Sequence, residues 1–248
     1  MPLAKLSYPD AKSFYNILDA LSKIVDEVSM TISKDGVKII ALDPARIALI
    51  EISMSPETFL EYDVSEDQVK AGFNVANVAK IIKRGKKGDK VDIEVESDRI
   101  TWSIVGATIK RYRLLNLDVP EPEIPSAQFN FNVHVAVIVD PIKNALKDAE
   151  AVGDTVEFEA PDETQLIIRG VGAATSEARI RSDTPAVVEF EVKEPSKSAY
   201  SLDYLKHVLS LTKVADTVVI EFSSSMPLRL QFRLPAGGTV TYLLAPKA

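Results

Sequence analysis

Residues 80–89, KIIKRGKKGD, carry five basic side chains, Lys80, Lys83, Arg84, Lys86 and Lys87, and no acid before Asp89. Ammonium and guanidinium groups gathered in this way neutralise phosphates. Without aromatic stacking residues or recognition-helix chemistry beside them, they suit a nucleic-acid backbone rather than base edges. The chain as a whole has a formal charge of −7, which repels phosphate. A nucleic-acid function must therefore rest on where the charge sits.

Catalytic chemistry is poorly represented. The chain contains no GxxxxGK[ST] and no GxGxxG, and GVGAAT (170–175) is a glycine-poor stretch between expected strands. His134 and His207 have no HExxH spacing. Asp89 and Glu94 recur as Asp216 and Glu221 in the duplicated stretch, and with Asp92 they mark turns and strand faces better than a metal site. The absence of cysteine excludes disulfides, thiolate ligands and cysteine nucleophiles, and fits an intracellular protein. No apolar run approaches the ~18 residues of a membrane span, and MPLAKLSYPD lacks the apolar core of a signal peptide. No cofactor, no metal, no membrane contact and no enzymatic activity are expected. At 248 residues, 46% apolar and 26% charged, the chain suits one large or two ordinary globular domains.

The elements that position the basic run are duplicated. Residues 201–222, SLDYLKHVLSLTKVADTVVIEF, lie without gaps on residues 74–95, NVANVAKIIKRGKKGDKVDIEV. Both read as an amphipathic helix, an Asp-marked turn and an alternating strand. FYNILDALSKIVDEVSMTI (14–32) resembles IKNALKDAEAVGDTVEFEA (142–160) in the same way. Strands are expected at 37–42, 48–53, 68–75, 99–105, 108–115, 129–135, 165–170, 176–181, 187–192, 228–234 and 239–244. Each quarter thus reads as strand, helix and three strands, an α+β chain. NLDVPEPEIPSAQ (116–128), with three prolines, is an extended, exposed connector. It separates an N-terminal domain (1–115) from a C-terminal one (129–248).

In each helix the apolar residues share one stripe, and the opposite face is left for contacts. Opposite Val78, Ile81 and Ile82 stand Lys80, Lys83, Arg84 and Lys87. Lys206, Ser210 and Lys213 recur along a fourth helix, Lys143 and Lys147 along the third, and Lys12 on the first. These lysines and Arg84 are the candidate DNA contacts. Lys110, Arg111 and Arg113 crowd one strand, as on an edge protected by charge.

The pattern resembles the sliding clamps of the proliferating cell nuclear antigen family, archaeal type. The match is carried by DEVSMTISKDGVKIIALDPARIALIEI (26–52), GFNVANVAKIIKRG (72–85), LNLDVPEPEIP (115–125), AVGDTVEF (151–158), SLDYLKHVLSLTKVADTV (201–218) and TYLLAPK (241–247). The resemblance implies a DNA clamp fold: two similar domains of duplicated β-α-β-β-β units in a head-to-tail trimeric ring, helices lining the hole and sheets outside. Duplex DNA would pass through unaltered, in an archaeal cytoplasm. Lys80, Lys83 and Lys147 match basic family positions. Tyr15, Asn16, Ser22, Asp203 and Ser210 stand where eukaryotic members have lysine or arginine.

The resemblance also implies a pocket for short peptide motifs of DNA polymerase, clamp loader, flap endonuclease and DNA ligase, built from Leu42, Arg46, Ile47, Ile124, Pro125, Pro227, Leu243, Ala245 and Pro246. Eukaryotic members carry histidine at Arg46 and tyrosine at Leu243. The subunit seam would join Ile109, Lys110, Arg111 and Arg113 to Leu146, Asp148, Ala149, Glu150, Glu177 and Ile180 of the next copy. Homotrimer and heterotrimer subunit both remain open, and a carboxylate-metal nuclease on a duplicated β-rich scaffold is the reading from another class.

Overall fold

A computed structural model describes residues 2–124 and 129–247. The chain divides into two units, one of Met1–Pro44, Ile50–Glu123 and Leu234–Val240, the other of Ala45–Leu49, Ile124–Arg233 and Thr241–Ala248.

The first unit contains β1 (Ala4–Tyr8), α1 (Ala11–Leu21), β2 (Glu27–Ser33), β3 (Gly36–Leu42), most of β4 (Ala48–Met54), β5 (Glu61–Val64), β6 (Gln68–Asn74), α2 (Val75–Ile82), β7 (Lys90–Val95), β8 (Arg99–Val105) and β9 (Ile109–Leu115). One sheet runs β5-β1-β7-β8-β9, and β4-β3-β2-β6 lie side by side in another. Each helix carries the chain from one sheet to the other, α1 between β1 and β2, α2 between β6 and β7. Both start at capped termini: Asp10 accepts from the Lys12 amide at 3.1 Å and Asn74 from the Asn77 amide at 3.0 Å. The α1 stripe of Phe14, Ile17, Leu18 and Leu21 is buried. Trp102 of β8, with no exposed surface, meets Phe73 edge-on at 5.2 Å and Phe14 at 6.2 Å.

The second unit contains β10 (Val133–Ile138), α3 (Val139–Glu150), β11 (Gly153–Asp162), β12 (Gln165–Gly172), β13 (Thr175–Arg181), β14 (Val187–Val192), β15 (Ser196–Ser201), α4 (Leu202–Lys206), β16 (Thr217–Phe222), β17 (Leu228–Arg233) and most of β18 (Thr239–Leu244). Its sheets run β14-β10-β16-β17-β18 and β13-β12-β11-β15. Adding nine to each strand number of the first unit reproduces this order. The α+β architecture and the internal duplication follow the sequence pattern.

Four details differ from it. β5 is an additional strand that pairs with β1, and β14, expected at 187–192, pairs with β10 at the end of its sheet instead of leading into a helix. The strand leading into the fourth helix is therefore β15, not 187–192. β1 and β15 escaped notice because AKLSY and SKSAYS are short and bury serines among few large apolar groups. The strand expected at 129–135 starts at Val133. The fourth helix is not continuous: α4 ends at Lys206 and a 3-10 turn, Leu209–Lys213, follows. The Thr212 hydroxyl donates back to the Leu209 carbonyl at 2.7 Å, and β-branched Val208 at the junction weakens the helix further.

Candidate nucleic-acid and partner interfaces

The basic run lies at the end of α2 and in the turn after it. Only Lys80 is on the helix; Lys83 is its C-cap, and Arg84, Lys86 and Lys87 follow. The expected helical face is therefore a helix end and a loop. Gly85 explains the stop: a Cβ there would stand 2.5 Å from the Ala11 side chain, so the chain crosses α1 only with glycine. Gly88 then turns at φ +88°. Asp89 closes the turn by accepting from the Lys86 amide at 2.8 Å, while its own carbonyl accepts from the Ala11 amide at 2.9 Å.

All five basic side chains are exposed, and none makes an ion pair among the described residues. Lys83 Nζ sits 5.7 Å from the centre of the Tyr15 ring, so a residue that departs from the eukaryotic lysine pattern steadies a neighbouring one. Lys86, which a continuous helix would turn away from the basic face, joins it because α2 ends before it. On α1, Lys12 is exposed and makes no ion pair among the described residues, whereas Lys23 is engaged by Asp19 at 2.9 Å.

The second unit offers less uncompensated charge. Lys147 and Lys213 are exposed without ion pairs among the described residues. Lys143 pairs with Asp140 at 3.4 Å, and Lys206 with Glu150 at 2.9 Å and Asp203 at 3.5 Å. Glu150 beside it raises the Lys206 pKa. Ser210, expected on the outer face with Lys206 and Lys213, is buried because the 3-10 turn rotates it inward.

The connector does not start as a loose linker. The Gly72 amide donates to Asn116 Oδ1 at 2.8 Å, Asn116 Nδ2 donates to the carbonyls of Lys70 and Glu96 at 3.1 Å each, and the Leu117 amide donates to the Gly72 carbonyl at 2.9 Å. Glu121 receives Lys70 and Thr31, each at 3.1 Å, and these two bonds, Lys70 first, hold its carboxyl below the usual range. Between residues 119–122 and strands β2 and β3 lies a cleft of 220 Å³ lined by Ser29, Ile40 and Leu42 among others.

Of the other expected pocket residues, Arg46, Ile47, Ile124, Pro227, Leu243, Ala245 and Pro246 belong to the second unit, and Pro125 lies outside the described residues. The Ala245 amide donates to the Ile47 carbonyl at 2.9 Å and the Lys247 amide to the Ala199 carbonyl at 2.7 Å, which staples the tail at both ends. Ile47 and Ile124 are among the large apolar side chains left exposed, at 37% and 42%. Arg46 holds φ +58°, an unusual backbone for a side chain other than glycine.

The expected seam residues fall on α3 and on two strands that end their sheets, β9 and β13. Pairing of Ser103 with Arg111 and Thr101 with Arg113 puts those arginines on one face of β9. Lys110, one position off, is on the other, because side chains alternate along a strand. The three basic residues are thus not one cluster. Ile109 is 60% exposed, and Leu115 at the other end of β9, which is not among the expected seam residues, is 68% exposed. Leu146, Ala149 and Ile180 are buried within the unit already, so the apolar burial expected of them at a seam is spent inside the unit. A Cβ on Gly170 would come within 2.4 Å of the Ala149 backbone, which shows how closely α3 lies on β12.

On β13, Glu177 accepts from Arg169 at 2.7 Å and Arg179 at 2.6 Å, and Arg169 also binds Glu159. Asp148 makes no ion pair among the described residues. Among those residues no three His, Asp or Glu side chains are grouped to hold a metal, and no helix is long and apolar enough to cross a membrane.

Two family models match consecutive parts of the chain: proliferating cell nuclear antigen, N-terminal domain, over residues 4–120, and its C-terminal domain over residues 124–247. DNA polymerase sliding clamp 1 of Aeropyrum pernix is 36% identical over 241 residues, covering 96% of this chain and 97% of that protein. The protein of the same name from Pyrobaculum aerophilum is 34% identical over 243 residues, covering 98% and 97%. Among solved structures, the PCNA2–PCNA3 complex from Sulfolobus tokodaii is similar with a TM-score of 0.92 at 25% identity, covering 98% of this chain and 99% of that one.

Proposed function

The chain belongs to the proliferating cell nuclear antigen family, and from that premise we propose that it is a sliding clamp. As one subunit of a ring it encloses duplex DNA and tethers DNA polymerase to it. The observation that carries this reading is the exposed basic segment at 80–87, uncompensated in an acidic chain. Phosphate-only contact holds duplex without fixing a sequence, and negative charge elsewhere keeps it off other surfaces. No step of chemistry is assigned to the chain.

Partners dock by short peptide motifs. Ile47, Ile124 and Leu243 supply apolar contacts for an anchor side chain, and the clamped connector offers extended backbone to the peptide. DNA polymerase, clamp loader, flap endonuclease and DNA ligase are the partner classes, in a DNA-associated, cytoplasmic setting. The ring closes through β9 of one subunit and β13 of the next. Extension of a singly primed template tests the reading: adding the assembled protein to its polymerase lengthens the products, and products of unchanged length would contradict it.

A further inference from the structure

A row of charged side chains crosses four strands of the second unit. Glu191 of β14 pairs with His134 of β10, His134 with Glu221 of β16, and Glu221 with Arg229 of β17. Arg229 binds one oxygen of Glu221, and His134 Nδ1 stands 3.0 Å from the other. His134 Nε2 stands 3.1 Å from Glu189, and an imidazole donating at both nitrogens is the second cation of the row. Sign therefore alternates from Arg229 outward and stops at Glu191, which is exposed and makes no ion pair among the described residues. A 530 Å³ cleft opens over this end of the row. Lys193 also lines it but falls beyond the end of β14 and leaves Glu191 unpaired.

The strand that carries Glu191 is the last of its sheet. Among the described residues, the backbone of 188–191 bonds only to β10, so every second N–H and C=O on the other side points away from the sheet. Phe190 pairs with buried Val135 on the face opposite the charged row, and Val188, two residues back, is 56% exposed. Charge on an edge repels added strands, but here it has one sign and occupies one face. Two copies of β14 paired antiparallel about Phe190 would set Glu189 against Glu191, which rejects a second copy. A strand with cations at those positions meets no such repulsion.

We propose that β14 is a docking edge for an extended partner segment with lysine or arginine at alternate positions and apolar residues between them. The segment's backbone continues the sheet. Its cations stand opposite Glu191 and Glu189 and prolong the alternation that begins at Arg229, and its apolar residues cover Val188. The inference stands on the second unit alone and requires neither the ring nor the apolar peptide pocket.

Calorimetric titration of the full chain with three synthetic peptides tests it. A peptide of alternating lysine and valine binds, and hydrogen exchange slows at the outward amides of residues 188–191. The same peptide N-methylated along its backbone, which keeps the charge but cannot extend a sheet, does not bind, and neither does a peptide of alternating glutamate and valine. Glu191→Lys replaces an attractive cross-strand pair by a repulsive one. It lowers affinity for the lysine peptide about tenfold and confers binding of the glutamate peptide, with thermal melting confirming that the variant is folded. No binding of the lysine peptide, or equal binding of its N-methylated form, would overturn the inference. So would an affinity unchanged by Glu191→Lys, or exchange protection confined to amides outside β14.

Discussion

Asn116 and Gly72 are locked together: the glycine amide donates to the asparagine side chain at 2.8 Å, and the carbonyl of Gly72 accepts the next amide, that of Leu117, at 2.9 Å. Only glycine allows the approach, since a Cβ at position 72 would stand 1.9 Å from the Leu117 carbonyl oxygen. The start of the connector is thus fixed along the edge of β6. Asn116→Ala leaves one amide and two carbonyls without these partners, which costs about 1–3 kcal/mol. The urea midpoint falls at constant m-value, and hydrogen exchange at the Leu117 amide accelerates. A midpoint and exchange rate equal to wild type would show that the connector is held by something else.

Substituting Lys80, Lys83 and Arg84 together by Ala weakens duplex binding at every sequence alike. Each lost phosphate contact lowers the log–log salt slope by about 0.9, hence by about 2.7 for the three. The exposure of all three side chains leaves folding stability unchanged. An unaltered slope in a salt titration would exclude this segment as the contact.

How much of this was legible in the sequence depends on the range of the interaction concerned. Period and duplication located the helix–strand units, since apolar side chains at 3.6- or 2-residue spacing record which face is buried. The end of α2 was not legible, because it is set by the contact of Gly85 with Ala11, far away in sequence. β15 was missed for a similar reason: SKSAYS becomes a strand by pairing with β11, not by its own propensity. At the expected seam, residue type suggested that Ala149 and Ile180 face a partner, but the packing of α3 on its own sheet already buries them. The neutralisation of Lys206 by Glu150 likewise required the fold.

His134 sits between two carboxylates, with Nδ1 3.0 Å from Glu221 and Nε2 3.1 Å from Glu189. Only the imidazolium donates at both nitrogens. Burial alone would lower its pKa, but the hydrogen bonds to Glu221 and Glu189 outweigh that and raise it above the ordinary 6.5. A raised folded-state value means that the contribution to stability is fully present below the unfolded pKa and is lost as pH rises through the folded one. His134→Gln therefore flattens the fall in stability just above neutral-acid pH. Nuclear magnetic resonance titration of the His134 ring gives a midpoint above 6.5; a midpoint at or below that value would mean that the ring is neutral in its site.

Ile124→Ala combined with Leu243→Ala weakens binding of a partner-tail peptide. Truncating a hot-spot contact costs about 2 kcal/mol or more, roughly thirtyfold in affinity. Assembly and DNA contact are unaffected, because neither residue is on β9, β13 or the basic segment. Calorimetry with wild-type affinity in the double variant would place the docking site elsewhere.

The central claim is that the assembled protein encloses DNA rather than adhering to it. The most direct measurement is retention of the loaded ring, this chain with whatever subunits complete it, on covalently closed circular duplex before and after a single restriction cut. Enclosure predicts that the protein stays on the circle in high salt, where phosphate contacts are screened, and leaves within the assay once the DNA has ends. Loss from the closed circle at the same salt as from the linear form would contradict it.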